Sequence, residues 1–391
     1  MKKAQLLLIT LFIFNLSFAR ELSWKFKTEG MIHTTPLVSG QSAFVSGEDG
    51  LLYHLNAETG ASVWKFKAGG ALGSDPVLDQ NTVFANSRDG FLYAVDAKSR
   101  QLKWKFKTLG EKIYDAWDYY LSSPAIGGQT LYFGSGDGFL YALEKNTGKL
   151  LWKFKTGDVV HASPVLFDEK VYIGSYDGFL YVINEKTGKL AWKFDTIGDA
   201  YFPKGEIQKA VVVADSIVYF GSRDYNIYAF DPRKGTGKWN MKERGSWVIA
   251  TPEVKDKQIY FGTSDTHAFY ALDAYNGEIK WRIPLNMRVY GSSAILNGKV
   301  YFGCFNGKLY TADQKTGEVL STFQTEGSRK NYHLVYDAND KFRPDFEMYG
   351  NDYLKAEKKI MDMGAILSSV VINKNMIYFS STDGYVYGLR L

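Results

Sequence analysis

Residues 171–196 read Val-Tyr-Ile-Gly-Ser-Tyr-Asp-Gly-Phe-Leu-Tyr-Val-Ile-Asn-Glu-Lys-Thr-Gly-Lys-Leu-Ala-Trp-Lys-Phe-Asp-Thr. Read with a period of two, they give three short strands: Val171 to Ser175, Phe179 to Asn184 and Lys189 to Asp195. The runs stop at Tyr176-Asp177-Gly178 and at Glu185-Lys186-Thr187-Gly188, where glycine supplies the positive φ of a tight turn. In the second run Leu180, Val182 and Asn184 share one face, and Phe179, Tyr181 and Ile183 the other. A fourth strand, Ala162 to Phe167, precedes them. Together they predict one antiparallel four-stranded meander.

The same unit recurs through the chain. Its central tyrosine returns at Tyr53, Tyr93, Tyr141, Tyr181, Tyr228, Tyr270, Tyr310 and Tyr387, mostly 40 to 48 residues apart, with a last interval of 77. The tryptophan of its last strand returns at Trp64, Trp104, Trp152, Trp192, Trp239 and Trp281, with Phe323 in the seventh unit. The eighth unit runs out at Leu391 one strand short, and Glu21 to Lys27, which carries Trp24, matches the missing strand. A sheet apolar on both faces must stack on neighbours, and an N-terminal strand completing the last sheet removes the open edge. The expectation is an all-β, eight-bladed propeller of four-stranded antiparallel blades, with the blade tryptophans lying between neighbours. The Asp-Gly turns (Asp49, Asp89, Asp137, Asp177, Asp383) recur too regularly to be acidic sites and read as turn chemistry.

High glycine (38 residues) and 16% aromatics fit many short strands joined by tight turns. Residues 1–19 read as a secretory signal, with Lys2 and Lys3, an apolar core from Ala4 to Leu16 and Ser17-Phe18-Ala19 as cleavage site; the other reading is an uncleaved anchor. The propeller then occupies 20–391. Removing Lys2 and Lys3 lowers the formal charge from +5 to +3, and no basic block supports a nucleic-acid partner. No later stretch approaches the twenty apolar residues of a membrane span. Cys304 is the single cysteine, so no intramolecular disulfide forms, and its strand position predicts burial. The expected location is the periplasm or beyond it, and the expected state is a monomer.

The repeat Gly-Ser-x-Asp-Gly-x-Leu-Tyr-Ala-Leu-Asp-x-x-Thr-Gly-x-x-x-Trp resembles that of the PQQ-like β-propeller superfamily over essentially all of residues 21–391. The resemblance implies the propeller fold, though one propeller hosts many activities. Within the superfamily the chain is similar to the BamB-type assembly factors, which scaffold β-barrel insertion into the outer membrane. It departs from them in having no lipobox cysteine and in carrying some forty extra residues between blades 7 and 8. Quinoprotein dehydrogenases, the enzymes of the superfamily, resemble one another in a pair of adjacent cysteines over the quinone, a Ca²⁺ held by Glu and Asn, and a catalytic Asp. A chain with one cysteine cannot form that disulfide.

Three long insertions interrupt the repeat, at 109–121, 197–209 and 325–364, and the last holds a helix candidate near Asp352 to Met363. Labelling the strands of a blade A to D, all three are D-to-A links and crowd one face. Loops rich in aromatic and charged residues on a rigid scaffold are where binding is usually placed. The candidate protein-binding residues are Tyr114, Trp117, Tyr119 and Tyr120 in the first insertion, Tyr201 and Phe202 in the second, Tyr332, Tyr336 and Arg343 in the third, and Trp247. The competing reading is that these loops fold down and plug the channel.

Chemical motifs are sparse. Asp337 to Phe342 matches a Ca²⁺ loop poorly, with Lys341 and Phe342 at the wrong places. His33 and His161 occupy equivalent places three blades apart, and His54, His267 and His333 show no ligand spacing. No Gly-x-Ser-x-Gly elbow introduces a nucleophile. The expected function is therefore a non-enzymatic scaffold for envelope proteins, with no cofactor, no metal and no catalytic residue. The alternative is a quinone-dependent or sugar-binding propeller, with Trp117, Tyr201 and Trp247 stacking on a planar ring or a pyranose face.

Overall fold

The computed structural model describes residues 21–391; the leader read over residues 1–19 lies outside the described residues. Blade 4 is the pattern for the rest, with strands Val165–Phe167, Lys170–Gly174, Phe179–Asn184 and Leu190–Asp195 in antiparallel order. Strand A starts at Val165 rather than Ala162. Pro164 has no amide hydrogen to give a ladder, and Ser163 instead turns its hydroxyl to the amide of Ser123 in blade 3, at 2.9 Å. Gly188 (φ +67) makes the C-to-D turn, and a Cβ there would stand 2.6 Å from the Trp152 ring.

Eight such four-stranded sheets form the ring among the described residues. The eighth is completed from the other end of the chain: Leu22–Lys27 pairs antiparallel with Tyr385–Arg390, Phe26 lying opposite Val386. The alternating faces of each sheet are buried against different neighbours. Leu180 and Val182 pack on Val218 and Phe220 of blade 5, whereas Tyr181 and Ile183 pack with Tyr132 and Leu140 of blade 3. The apolar core is thus a set of inter-blade seams, and no blade has a core of its own.

Two clamps recur at most of the seams. On the outside, tryptophan indole N–H groups donate to a carbonyl in the C-to-D turn of the next blade. Trp24, Trp64, Trp104, Trp152, Trp239 and Trp281 reach Ala57, Ala97, Lys145, Glu185, Ala274 and Gln314 at 2.9–3.2 Å. Trp192 packs its ring on Phe230 of blade 5. At the insertion-bearing face, the turn aspartate joins its own tyrosine to the preceding link. Asp177 accepts from the Tyr181 hydroxyl at 2.7 Å and from the Gly157 amide at 2.6 Å, and Asp137 does the same for Tyr141 and Leu109. These aspartates are turn and seam chemistry.

The third insertion folds into α1 (Glu326–Asn331), capped by the Thr325 hydroxyl, and α2 (Tyr353–Asp362). Asp337 caps its own turn, accepting from the amides of Asn339 and Lys341. Cys304 is buried, and burial pushes its thiol up to about 12. Among the described residues no helix is long and apolar enough to cross a membrane.

Candidate functional site

The first insertion crosses the mouth of the channel and is stitched down by buried charge. Both ring nitrogens of His161 face carboxylates: Nδ1 lies 2.9 Å from Asp118 and Nε2 lies 3.0 Å from Glu111, both from this insertion. A neutral imidazole has one N–H and can donate to only one of them, so the geometry calls for imidazolium. Burial opposes that charge, but the two carboxylates outweigh it and hold the pKa at about 9. The remaining valences of the acids are met by Tyr176, Ser135 and the amides of Tyr114 and Gly136.

Further along, Asp115 takes both Nη atoms of Arg223, a buried residue of the blade 5 B-to-C turn that also binds Gln208 and lies 4.4 Å over the Trp247 ring. The Tyr119 hydroxyl bonds to Glu357 of α2, whose other oxygen is 3.3 Å from Arg288. The Tyr120 hydroxyl reaches the Leu367 carbonyl at 2.9 Å. The three insertions therefore form one cap.

The ten expected binding residues divide accordingly. Tyr119, Tyr120, Trp247 and Tyr336 are buried, their rings committed to the cap and to the core beneath it. Tyr114, Trp117, Phe202 and Tyr332 are half-buried, and Tyr201 (81%) and Arg343 are exposed. Trp117, Phe202 and Trp247 come together with Tyr290 and Tyr349 around a cleft of about 250 Å³, walled also by Asp115, Asp265, Ser264 and Arg288. Trp117 meets Trp247 edge to face and stacks on Tyr353. Two buried donors at this cleft, Trp247 Nε1 and Arg288 Nε, have no hydrogen-bond partner.

The charged stitches Arg223, Arg288, Asp265 and Glu357 were not expected from the sequence. A signal existed for one of them. The third position of the Gly-Ser-x-Asp turn is Glu48, Arg88, Tyr176, Arg223 or Phe305 in different blades; the last four meet the cap, and Glu48 pairs with Arg88.

Under the cap the axis holds a cavity of about 320 Å³ lined by Asp75, Ser123, Ser163, Lys209, Thr251, Ser292 and Ser369. Around it the amide of one blade bonds to the side-chain oxygen of the next. The order is Ser292 to Ser369, to Thr35, to Asp75, to Ser123, to Ser163, at 2.6–3.1 Å. The belt stops at blade 5, where the equivalent residue is Ala210. Beside it Lys209 lays its ammonium 3.2 Å over the Tyr120 ring, and burial brings its pKa down to about 8. These residues do not fit a quinone with a bound Ca²⁺. The mouth is filled by tyrosines, Asp75 is the one carboxylate on the cavity wall, and the one cysteine is buried elsewhere. Among the described residues no three His, Cys, Asp or Glu side chains are grouped to hold a metal.

The family model described as Outer membrane protein assembly factor BamB matches residues 19–114, 115–243 and 200–341. Among curated proteins, the dehydrogenase subunit of alcohol dehydrogenase (quinone) from Gluconacetobacter polyoxogenes is 36% identical over 86 residues, 19% of this chain; the chain spans only 12% of that relative's length. The subunit from Gluconobacter oxydans is 33% identical over 78 residues, 17% of this chain and 10% of its own length. Among solved structures, BamB from Moraxella catarrhalis superposes with a TM-score of 0.72 at 16% identity, covering 95% of this chain and all of the other. Quinohemoprotein alcohol dehydrogenase ADHIIG from Pseudomonas putida HK5 superposes with a TM-score of 0.71 at 12% identity, covering 95% and 76%. At these identities the likeness is one of fold.

Proposed function

Because this chain belongs to the family described as Outer membrane protein assembly factor BamB, we propose that it is a non-enzymatic, exported scaffold that holds envelope proteins on its capped face. Components of outer-membrane β-barrel assembly are the first partners to test. The observation that carries this reading is where the large apolar side chains are left exposed. Exposed apolar side chains occur on the outer strands as well, but of the six described residues of this kind that are 60% exposed or more, five lie in the three insertions (Leu109, Ile113, Ile197, Tyr201 and Leu354) and one, Tyr275, in a C-to-D turn. Apolar side chains left bare around a polar-stitched cap are the profile of a protein-binding surface. The quinone-dependent alternative rests on local identity to a dehydrogenase, and the single carboxylate on the axial cavity, Asp75, weighs against it.

The test is a crosslinked pull-down from envelope extract with residues 20–391 as bait, against a variant carrying Ile113→Glu, Tyr201→Glu and Leu354→Glu. These three are more than half exposed, so the variant keeps its unfolding midpoint. The expected outcome is a β-barrel assembly protein enriched by the unmutated bait and reduced about tenfold or more by the variant. Equal capture by both removes the capped face from the reading. Reduction of a dye acceptor by an alcohol in the presence of added PQQ and Ca²⁺ overturns the non-enzymatic part.

A further inference from the structure

The cleft between the insertions has a composition that goes beyond a flat protein-binding surface. Its walls are aromatic: Trp117, Phe202, Trp247, Tyr290 and Tyr349. Its polar atoms are not in balance. Trp247 is 8% and Arg288 2% exposed; the indole N–H of the first has no acceptor, and the Nε–H of the second has only the Asp265 carboxylate, at 3.6 Å and beyond hydrogen-bonding distance. A buried donor without a partner costs about 1–3 kcal/mol, so a molecule bringing an oxygen acceptor to each is favoured. An aliphatic or phenyl group fills the space and leaves both donors unmet.

The charge of the walls narrows the choice further. Of the charged groups lining the cleft, Arg288 stands against Asp115 and Asp265, an excess of one carboxylate. An anion meets that excess as repulsion, and a cation meets the positive charge of Arg288 and the donor of Trp247. What satisfies the unmet donors, the acidic rim and the aromatic walls together is a neutral molecule with hydroxyls around its edge and an apolar C–H face. At about 250 Å³ the cleft is smaller than the ~300–1,000 Å³ of pockets for drug-sized ligands, which limits it to one ring.

From these observations we infer that the cleft is a pyranose-binding site, taking one sugar ring flat against Trp117. The Trp247 indole and Arg288 Nε donate to its oxygens, and Asp265 accepts from its hydroxyls. This inference does not depend on the protein-binding reading, because the residues changed to test it, Trp117 and Trp247, are not those changed in the pull-down, and the measurements differ.

The experiment is a titration of intrinsic tryptophan fluorescence, paired with saturation-transfer NMR, on residues 20–391. The probes are glucose, galactose, mannose and N-acetylglucosamine, taken to roughly 50 mM so that a millimolar site saturates. Two variants accompany it: Trp247→Phe, which keeps a ring and removes the N–H, and Trp117→Leu, which removes a half-exposed platform. Thermal unfolding of each confirms that it is folded. The expected result is saturable binding of at least one sugar, weakened about tenfold in Trp247→Phe, the equivalent of one lost hydrogen bond. Trp117→Leu is expected to weaken it as much or more. Absence of saturable binding for all four sugars overturns the inference, as does binding that neither variant changes. Saturable binding of the tripeptide Gly-Phe-Gly with none of the sugars also overturns it, and assigns the cleft to an aromatic side chain.

Discussion

His161 carries the clearest single-residue consequence. Its charge is held between Asp118 and Glu111, with the Tyr176 hydroxyl on the same Asp118 carboxylate. The folded pKa of about 9 lies above the ordinary value near 6.5. A raised folded pKa adds stability that is complete below about pH 6.5 and is lost as pH rises through about 9. His161→Gln is therefore expected to lower the thermal unfolding midpoint most at pH 6, by an amount equivalent to roughly 2–3 kcal/mol. The gap to the unmutated protein should narrow between about pH 6.5 and 9, and a gap constant with pH would count against the buried imidazolium. The sequence placed His161 beside His33 by repeat position and could go no further. Its partners lie 43 and 50 residues away in an insertion that follows no repeat. The turn aspartates were legible for the opposite reason, since their partners lie inside the unit that repeats.

At the scale of the element, the strand Leu22–Lys27 does for blade 8 what strand D does for every other blade. It fills the edge beside Tyr385–Arg390, and Trp24 donates to Ala57 in blade 1. Deleting residues 20–27 uncovers that edge and removes a buried tryptophan, which by itself costs about 3–5 kcal/mol. The expected outcome is a large drop in the urea midpoint together with self-association on size-exclusion chromatography. Restoration of a monomer by a synthetic peptide covering residues 21–28 would identify the open edge as the cause. Strand, turn and closing strand were all legible because period two, Asp-Gly and Trp-Lys-Phe each act locally. The conformation of the insertions was not, since Tyr119 and Tyr120 read equally well as surface anchors and as a plug. What makes them a plug is the hydroxyl of each finding an acceptor, Glu357 and the Leu367 carbonyl, more than two hundred residues downstream.

The whole molecule is a ring whose joints are not equal. Around the axis the hydrogen-bonded belt runs from Ser292 through blades 8, 1, 2 and 3 to Ser163 and stops at Ala210. The cap crosses that same sector, where Asp115 holds Arg223 of blade 5 and the Trp117 carbonyl accepts from Gln208 at 3.0 Å. Arg223→Met keeps a long side chain and removes this tie. Hydrogen exchange is expected to quicken in blade 5, over residues 212–242, by about tenfold or more, while blades 1 and 2 keep their protection. Uniform quickening around the ring would refute the assignment. Mechanically, then, the propeller is a split hoop closed by a buckle. Blades 7 to 4, taken through the closing strand, form the stiff arc, blade 5 is the gap, and the buckle is made of the same insertions that present the bare apolar side chains. A partner pulling on those side chains would load the hoop at its weakest point, so grip on the capped face and the width of the ring at blade 5 are one mechanical variable.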